Sequence, residues 1–507
     1  LFERFFKDKT SVFIFSFILF SVGAFYISFF PPDEPKYVDA ALRMIEKKNY
    51  IIPFFNCHVR FDKPILFYWE LVLFFKLFSV DHLIKIGHDY FGLIEYAARL
   101  PAIISAALSS VYVYKLSDLL FNDDNVSKLS VLGFISIGFF IYLGRSVYPD
   151  MSLILFELMG IYYFIRERYV LGWFFTALAF LVKGPIGIVS VGFTYFIYLW
   201  TVEKKSGLRE FFSLKNGLGF LAFLLIGLPW YLAVYHYYGM EFINRFLIYH
   251  NIERFTGAAH QHPHSFFYFF PIVILVLYIW WPYLLQLLKK VNLKDKKDLF
   301  LVLWFAWVFL FFSISKNKLA HYIAFGFIPI AILFGRYIDE IKESEKISYG
   351  FLFFEVILSV VLSFFAYKKG LIQLVASVFA GILIVSLTNL FKKPTKVIFY
   401  KTIAISIVSF VALLQFEGYR PEKFVWHEVL KTKLELVQYR KLNQSFVAYT
   451  RRCIGEVMNP EVIEKKKGRF LVYTKIKHLK ELKVKYKILG RFIDKGTKTV
   501  LVEVNNG

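Results

Sequence analysis

The sequence has almost no cysteine: two residues in 507, Cys57 and Cys453. No CxxC pair and no Cys/His metal spacing occurs. The two thiols are expected to be unpaired, with one disulfide between them as the alternative outside the cytoplasm. There is no Walker loop and no dinucleotide fingerprint, so use of ATP or NAD is not expected. Internal repeats and low-complexity tracts are also lacking. Acidic residues are scarce, 38 against 61 lysines and arginines, for a formal charge of +23. That excess sits mostly in short loops between apolar blocks, as membrane topology requires, so no nucleic-acid partner is expected. Some of these cations suit anionic membrane lipids.

What the chain does have is apolar length. Apolar residues make up 57% and aromatics 21%, with a mean hydropathy of +0.53. Ordinary soluble domains are about 45–50% apolar. The expected spans are 11–30, 92–114, 129–147, 151–166, 170–183, 185–201, 214–236, 266–288, 299–315, 319–337, 349–367, 371–390 and 397–416, about 13 in all; 151–166 and 170–183 are short for a bilayer and could be tilted, partly buried or wrongly divided. The first block reads as a membrane helix rather than a cleavable leader, with no small-residue cleavage site before Pro31. The segment PILFYWELVLFFKLFSV (64–80) is ambiguous. Counting it as a span inverts the loop charges: about 20 Lys/Arg on the inner side against about six on the outer becomes the reverse. It is therefore expected to be an interfacial helix on the outer face.

This topology defines a membrane region 1–416, with long outer loops 31–91 and 237–265, and an outer tail 417–507. In the first loop Asp33 is placed to cap a helix with Pro35 in its first turn. Tyr37, Val38, Ala41, Met44 and Ile45 give that helix one apolar face, suited to lying flat on the membrane. In the tail, 426–444 reads as helix. GRFLVYTKI reads as strand, and YKILGRFIDKGTKTVLVEV as a hairpin turning at DKG. The fold class is thus an α-helical polytopic membrane protein with interfacial helices and a small C-terminal α/β domain.

Ionisable residues gather at the outer span ends. Asp33 and Glu34 follow the first span. Asp62 and Lys63 precede the interfacial helix. Asp150 lies in a Tyr-Pro-Asp turn, Lys183 in a Lys-Gly-Pro turn, and Lys316, Lys318, His321 and Tyr322 in another. The second loop carries Arg245, His250, Glu253, Arg254, His260, His262 and His264. Its His-x-His-x-His run reads as solvent-facing histidines, with a divalent metal left open. Each residue has an ordinary reading: a helix cap, a snorkelling lysine, a dipole partner. Their convergence on one face suits an anionic headgroup such as a lipid phosphate, with carboxylates for an acceptor or a developing sugar cation.

The ordered segments DEPKYVDAALRMIEKKNYIIPFFN…FDKPILFYW, AARLPAI, YPDM, LVKGPIG, LPWYLAV…NIERFTG…HPHSFFYFF and FFSISKNKLAHYIAFGFIPIAIL resemble the GT-C superfamily of membrane glycosyltransferases. The similarity lies in the branch with protein O-mannosyltransferases and the lipid A aminoarabinose transferases. It covers about Asp33 to Tyr337. It implies inverting transfer from a sugar on undecaprenyl phosphate, without a nucleotide sugar, on the periplasmic side of a bacterial inner membrane. The acceptor it implies is lipid A or a related envelope molecule. Carried over residue by residue, it makes Asp33 the favoured catalytic carboxylate, with Asp150 as a second and Glu34 beside it. Lys63, Arg254 and Tyr322 become donor-phosphate ligands, with Asp62, Lys183, His250 and Lys318 in support. Three positions depart from the family: Asp62 replaces the usual Glu, His250-Asn251 stands where Glu-His is usual, and KLAHY replaces KLPTY. Two rivals follow. One is a protein O-mannosyltransferase with a peptide hydroxyl as acceptor. The other is a transporter or flippase, for which Glu355 inside a span is the one suggestive residue.

Overall fold

The computed structural model describes residues 5–87, 89, 92–203, 213–257, 264–341, 345–368, 371–391 and 393–506. Helices occupy each of the 13 apolar blocks. Five are long and apolar enough to cross a bilayer unbroken. Two bent pairs, Leu214–Gly227 with Pro229–Thr256 and Phe266–Val276 with Tyr278–Lys290, meet the same length and apolarity test together, each a broken span or a re-entrant loop. Four apolar helices are shorter than a full crossing. The shortness expected of 170–183 is found in Tyr169–Lys183, and other helices of the bundle are short or broken as well.

The first block shows why. Asp8 caps its helix, accepting from the Ser11 amide at 2.8 Å, and the helix runs Lys9–Ser21. The sequence predicts helix to residue 30, but 22–30 leave it. Backbone out of helix at this depth needs buried partners. Arg99 donates to the carbonyls of Ala24 (3.1 Å) and Ile27 (2.8 Å). Arg420 donates to those of Ser28 and Phe29, both at 2.8 Å.

After the cis Pro31–Pro32 peptide comes the helix Glu34–Glu46. Tyr37, Val38, Ala41 and Met44 are buried as the periodicity predicts, but so are Asp39, Leu42 and Arg43. The helix is enclosed by protein on more than its apolar face. Asp39 pairs with Arg43 (2.8 Å) and with Arg451 of the tail (2.9 Å). The helix Ser445–Thr450 packs against it. The segment 64–80 contains the helix Leu66–Leu77, of 12 residues. At 1.5 Å per residue it spans about 18 Å, short of a hydrocarbon core of about 30 Å. It packs on Leu93–Phe121 and on Glu34–Glu46.

The tail carries a five-stranded mixed sheet, in spatial order Glu456–Val457, Leu436–Tyr439, Gly468–Lys475, Thr497–Asn506, Tyr486–Asp494. The last two strands form the expected hairpin, with Asp494 opposite Thr497. Lys495 and Gly496, both at positive φ, turn it; such residues match the strand twist. The expected helix 426–444 is half right. Glu422–Thr432 is helical, but Leu436–Tyr439 is a strand paired in parallel with Gly468–Lys475. Sheet pairing overrides local propensity there.

Cys57 and Cys453 are joined in a disulfide, their Cα atoms 5.8 Å apart, which corrects the expectation of free thiols. Beside it Asn56 donates to the Ile454 carbonyl (3.0 Å) and accepts from the Ile454 amide (2.8 Å). The first loop and the tail are thus stapled together.

Candidate active site

Asp33 stands at the N-cap of Glu34–Glu46 but does not cap it through its side chain. Its carboxylate is 38% exposed and 3.5 Å from Lys36. It is close enough for its charge to act on Tyr148, His321 and Tyr322. Glu34, next in sequence, is fully buried. One of its oxygens accepts from the Phe30 amide (2.8 Å) and from Arg99 (3.0 Å); the other accepts from the Val147 amide (2.7 Å). Both of its oxygens are engaged by buried protein donors, so Glu34 holds structure. Through these bonds it ties the chain before Asp33 to the turn before Asp150.

The tail also reaches this segment. Ser445 Oγ donates to the Phe29 carbonyl (3.0 Å), and Tyr449 accepts from the Phe29 amide (3.3 Å). With Arg420, these contacts fix the approach to Asp33 from residues about 400 positions away, where no local sequence signal exists.

Asp150 begins the helix Asp150–Ile165, and Lys183 ends Tyr169–Lys183. Lys183 Nζ lies 2.6 Å from Asp150 and 5.1 Å from the centre of the Tyr322 ring; His321 Nε2 is 3.8 Å from Asp150. The Lys-Gly-Pro turn demands its glycine. Gly184 has φ +78°, and a Cβ there would stand 3.0 Å from the Phe246 ring. Larger residues are doubly disfavoured at such a position.

Lys63 Nζ donates to the Asp62 carbonyl at 3.0 Å. Burial, with help from Arg254 and Lys183, pulls its pKa down to about 8, against the opposing charge of Asp62. The Asp62 carboxylate is gripped by two nitrogens of Arg60, Nη2 at 2.8 Å and Nε. Burial opposes ionisation, but Arg60 outweighs it and holds the Asp62 pKa far below normal.

These elements enclose a cavity of about 480 Å³. Its polar end presents Lys63, Lys183, His250, Arg254, Asn317 and Tyr322; Ile186, Val189, Leu247, Phe311 and Phe312 form apolar walls. Asp33 is not in the lining, though Tyr322, which feels its charge, is. A site lined by several cations and by apolar side chains suits a phosphate on a hydrocarbon chain. Lys318 is not part of it. Its ammonium donates to the carbonyls of His264 (3.1 Å) and Ser315, pinning the turn. Asn317, which sequence reading passed over, donates to the Arg254 carbonyl at 2.7 Å and so positions that residue.

Asp62 and His250 are near enough to interact, but Asp62 is already neutralised by Arg60. This donor set does not fit a divalent metal, and no step is routed through one. No group of three or more His, Cys, Asp or Glu side chains suited to a metal occurs among the described residues. His260 and His262 lie outside them.

The family model described as dolichyl-phosphate-mannose-protein mannosyltransferase matches residues 62–231. An uncharacterized protein of Aquifex aeolicus is 31% identical over 506 residues, covering 98% of this chain and 99% of its own. The undecaprenyl phosphate-alpha-4-amino-4-deoxy-L-arabinose arabinosyl transferase of Wigglesworthia glossinidia brevipalpis is 28% identical over 360 residues. That match takes in 67% of this chain and 60% of the transferase's length. The crystal structure of ArnT from Cupriavidus metallidurans bound to undecaprenyl phosphate shares the fold, with a TM-score of 0.78 at 18% identity over 97% of both chains. The chain belongs to the GT-C superfamily of membrane glycosyltransferases, in the group that holds the protein mannosyltransferases and the undecaprenyl-phosphate aminoarabinose transferases.

Proposed function

We propose that the protein is an inverting glycosyltransferase that moves a sugar from undecaprenyl phosphate to lipid A or a related envelope acceptor, at the periplasmic face of the inner membrane. The observation that carries this reading is the cavity in which Lys63, Arg254 and Tyr322 meet above apolar walls. Named relatives act on an undecaprenyl-phosphate sugar, and a solved neighbour holds undecaprenyl phosphate. The disulfide supports an outer position for loop 31–91 and the α/β tail 417–507, since such bonds persist in oxidising compartments.

In the proposed reaction the acceptor oxygen attacks the sugar C1 from the face opposite the phosphate. The C1–O bond to phosphate breaks, and its electron pair stays on the phosphate. Lys63, Arg254 and Tyr322 stabilise that charge; a preorganised donor of this kind is worth about 3–4 kcal/mol. With a phosphate acceptor the nucleophile is already anionic, and Asp33 orients the sugar and stabilises positive charge at C1. With a hydroxyl acceptor Asp33 takes its proton. Asp150, held by Lys183, fixes the lysine beside the Tyr322 ring.

The matched mannosyltransferase model favours a second reading, transfer to a peptide hydroxyl. Mass spectra of lipid A from cells with and without the protein decide between them. A sugar adduct that vanishes with the protein supports the lipid acceptor. Unchanged lipid A, together with glycosylation of a Ser/Thr-rich peptide by the purified protein, overturns it.

A further inference from the structure

A second cavity, of about 460 Å³, adjoins the site on another side. Phe30 and Pro31, the residues leading to Asp33, line it, as does Tyr148. The Tyr148 ring centre is 5.7 Å from that of His321, the neighbour of Asp150. The helices Gly138–Leu143, Phe269–Val276 and Pro394–Glu417 supply mostly apolar walls, and Arg99, already paired with Glu34, also reaches the lining. Leu275 on the rim is 65% exposed, on a surface that faces lipid in a membrane bundle.

Arg145 projects into this cavity. Its Nη2 donates to the Leu19 carbonyl (2.9 Å), Nη1 is 3.5 Å from Ser409 Oγ, and the buried Nε has no partner. The guanidinium pairs with no carboxylate among the described residues. Glu34, nearby, is paired with Arg99 and accepts from two amides. A partly buried cation held only by one carbonyl and one long hydroxyl contact is costly, and an incoming anion offsets that cost. If Arg145 served only to close the end of Lys9–Ser21, a carbonyl bond from a neutral side chain would suffice.

We propose that this cavity receives the acceptor as an anionic lipid entering sideways from the bilayer, and that Arg145 binds its phosphate. Arg145 is then a specificity-determining residue. It selects a phosphorylated amphiphile over a peptide and brings it to Pro31 and Asp33 from a different side than the donor at Lys63 and Arg254. The inference rests on the transferase reading for the word acceptor, but the binding site itself is testable without turnover.

The test uses full-length protein in nanodiscs and two synthetic probes, a diacylated glucosamine 1-phosphate and its dephosphorylated counterpart. Binding is read by native mass spectrometry. Wild type should prefer the phosphorylated probe by at least about tenfold, the worth of one charged hydrogen bond. Arg145→Gln should erase the preference and Arg145→Lys should retain most of it. Undecaprenyl phosphate binding, unchanged within about twofold, serves as the folding control. A preference that survives Arg145→Gln overturns the inference, as does equal binding of both probes by wild type. Displacement of the probe by an equal amount of phosphatidylglycerol marks a site for bulk phospholipid and overturns the acceptor assignment. Donor cleavage is followed in parallel. If wild type shows the preference yet cleaves no lipid-linked donor, the transferase reading fails and the anion site stands. If it cleaves donor with an acceptor KM indifferent to Arg145→Gln, the transferase reading stands and the anion site fails.

Discussion

Asp33 and Glu34 are adjacent carboxylates with opposite predicted roles, and substituting each separates them. Glu34→Gln leaves one acceptor oxygen where two are used, and turns an NH₂ toward either the Val147 amide or the Phe30 amide and Arg99. Arg99, 2% exposed at its side chain, loses its counter-charge. Breaking a buried pair from one side costs about 3–5 kcal/mol. Asp33→Asn removes only a half-exposed carboxylate 3.5 Å from Lys36, an interaction worth about 0–1 kcal/mol. Its expected effect on turnover is a loss of about 10²–10⁴-fold, the range for a positioned acid or base. Thermal unfolding of both variants in detergent, followed by tryptophan fluorescence, is paired with donor turnover. Asp33→Asn should unfold with wild type and be inactive; Glu34→Gln should unfold at a clearly lower temperature. Wild-type stability in Glu34→Gln, or wild-type turnover in Asp33→Asn, refutes the assignment.

Further outcomes follow from the same geometry. With its pKa near 8, Lys63 should tie donor affinity to pH: a bound phosphodiester favours the charged amine, so affinity is full below about 8 and weakens by up to about tenfold per unit above it. Lys63→Arg should flatten that profile, since arginine stays charged, and an unchanged wild-type affinity from pH 7 to 10 counts against Lys63 as a ligand. Lys183→Met should destabilise by about 3–5 kcal/mol by stranding Asp150, and Asp150→Asn added to it should recover part of the loss; purely additive effects contradict the pair. Cys57 and Cys453 should resist alkylation in intact membranes until reduced, and labelling of either without reductant contradicts the staple.

The polar residues of the cavity were readable from sequence because Lys183 and Tyr322 sit at the ends of apolar blocks, and Lys63 and Arg254 in the two long loops beside them. The first block was misread because hydropathy cannot tell a helix from buried extended chain. What ends the helix there is Arg99, 75 residues from Ala24, and Arg420, 392 residues from Ser28. Glu34 and Asp33 look alike in sequence; only the fold brings Val147 and Arg99 to one and leaves the other open. Leu436–Tyr439 scans as helix because its neighbours do, and becomes a strand through pairing with residues about 35 positions later. Asn317 and Arg145 carry no motif, and their importance lies in what they face.

The central claim is sugar transfer from a lipid-linked donor at Asp33. Its most direct test is a single-turnover reaction of purified protein with an undecaprenyl-phosphate pentose and lipid A, analysed by mass spectrometry. The account predicts lipid A heavier by one sugar, an equal amount of undecaprenyl phosphate released, and neither product with Asp33→Asn. Intact donor, or a sugar adduct formed equally well by Asp33→Asn, contradicts it.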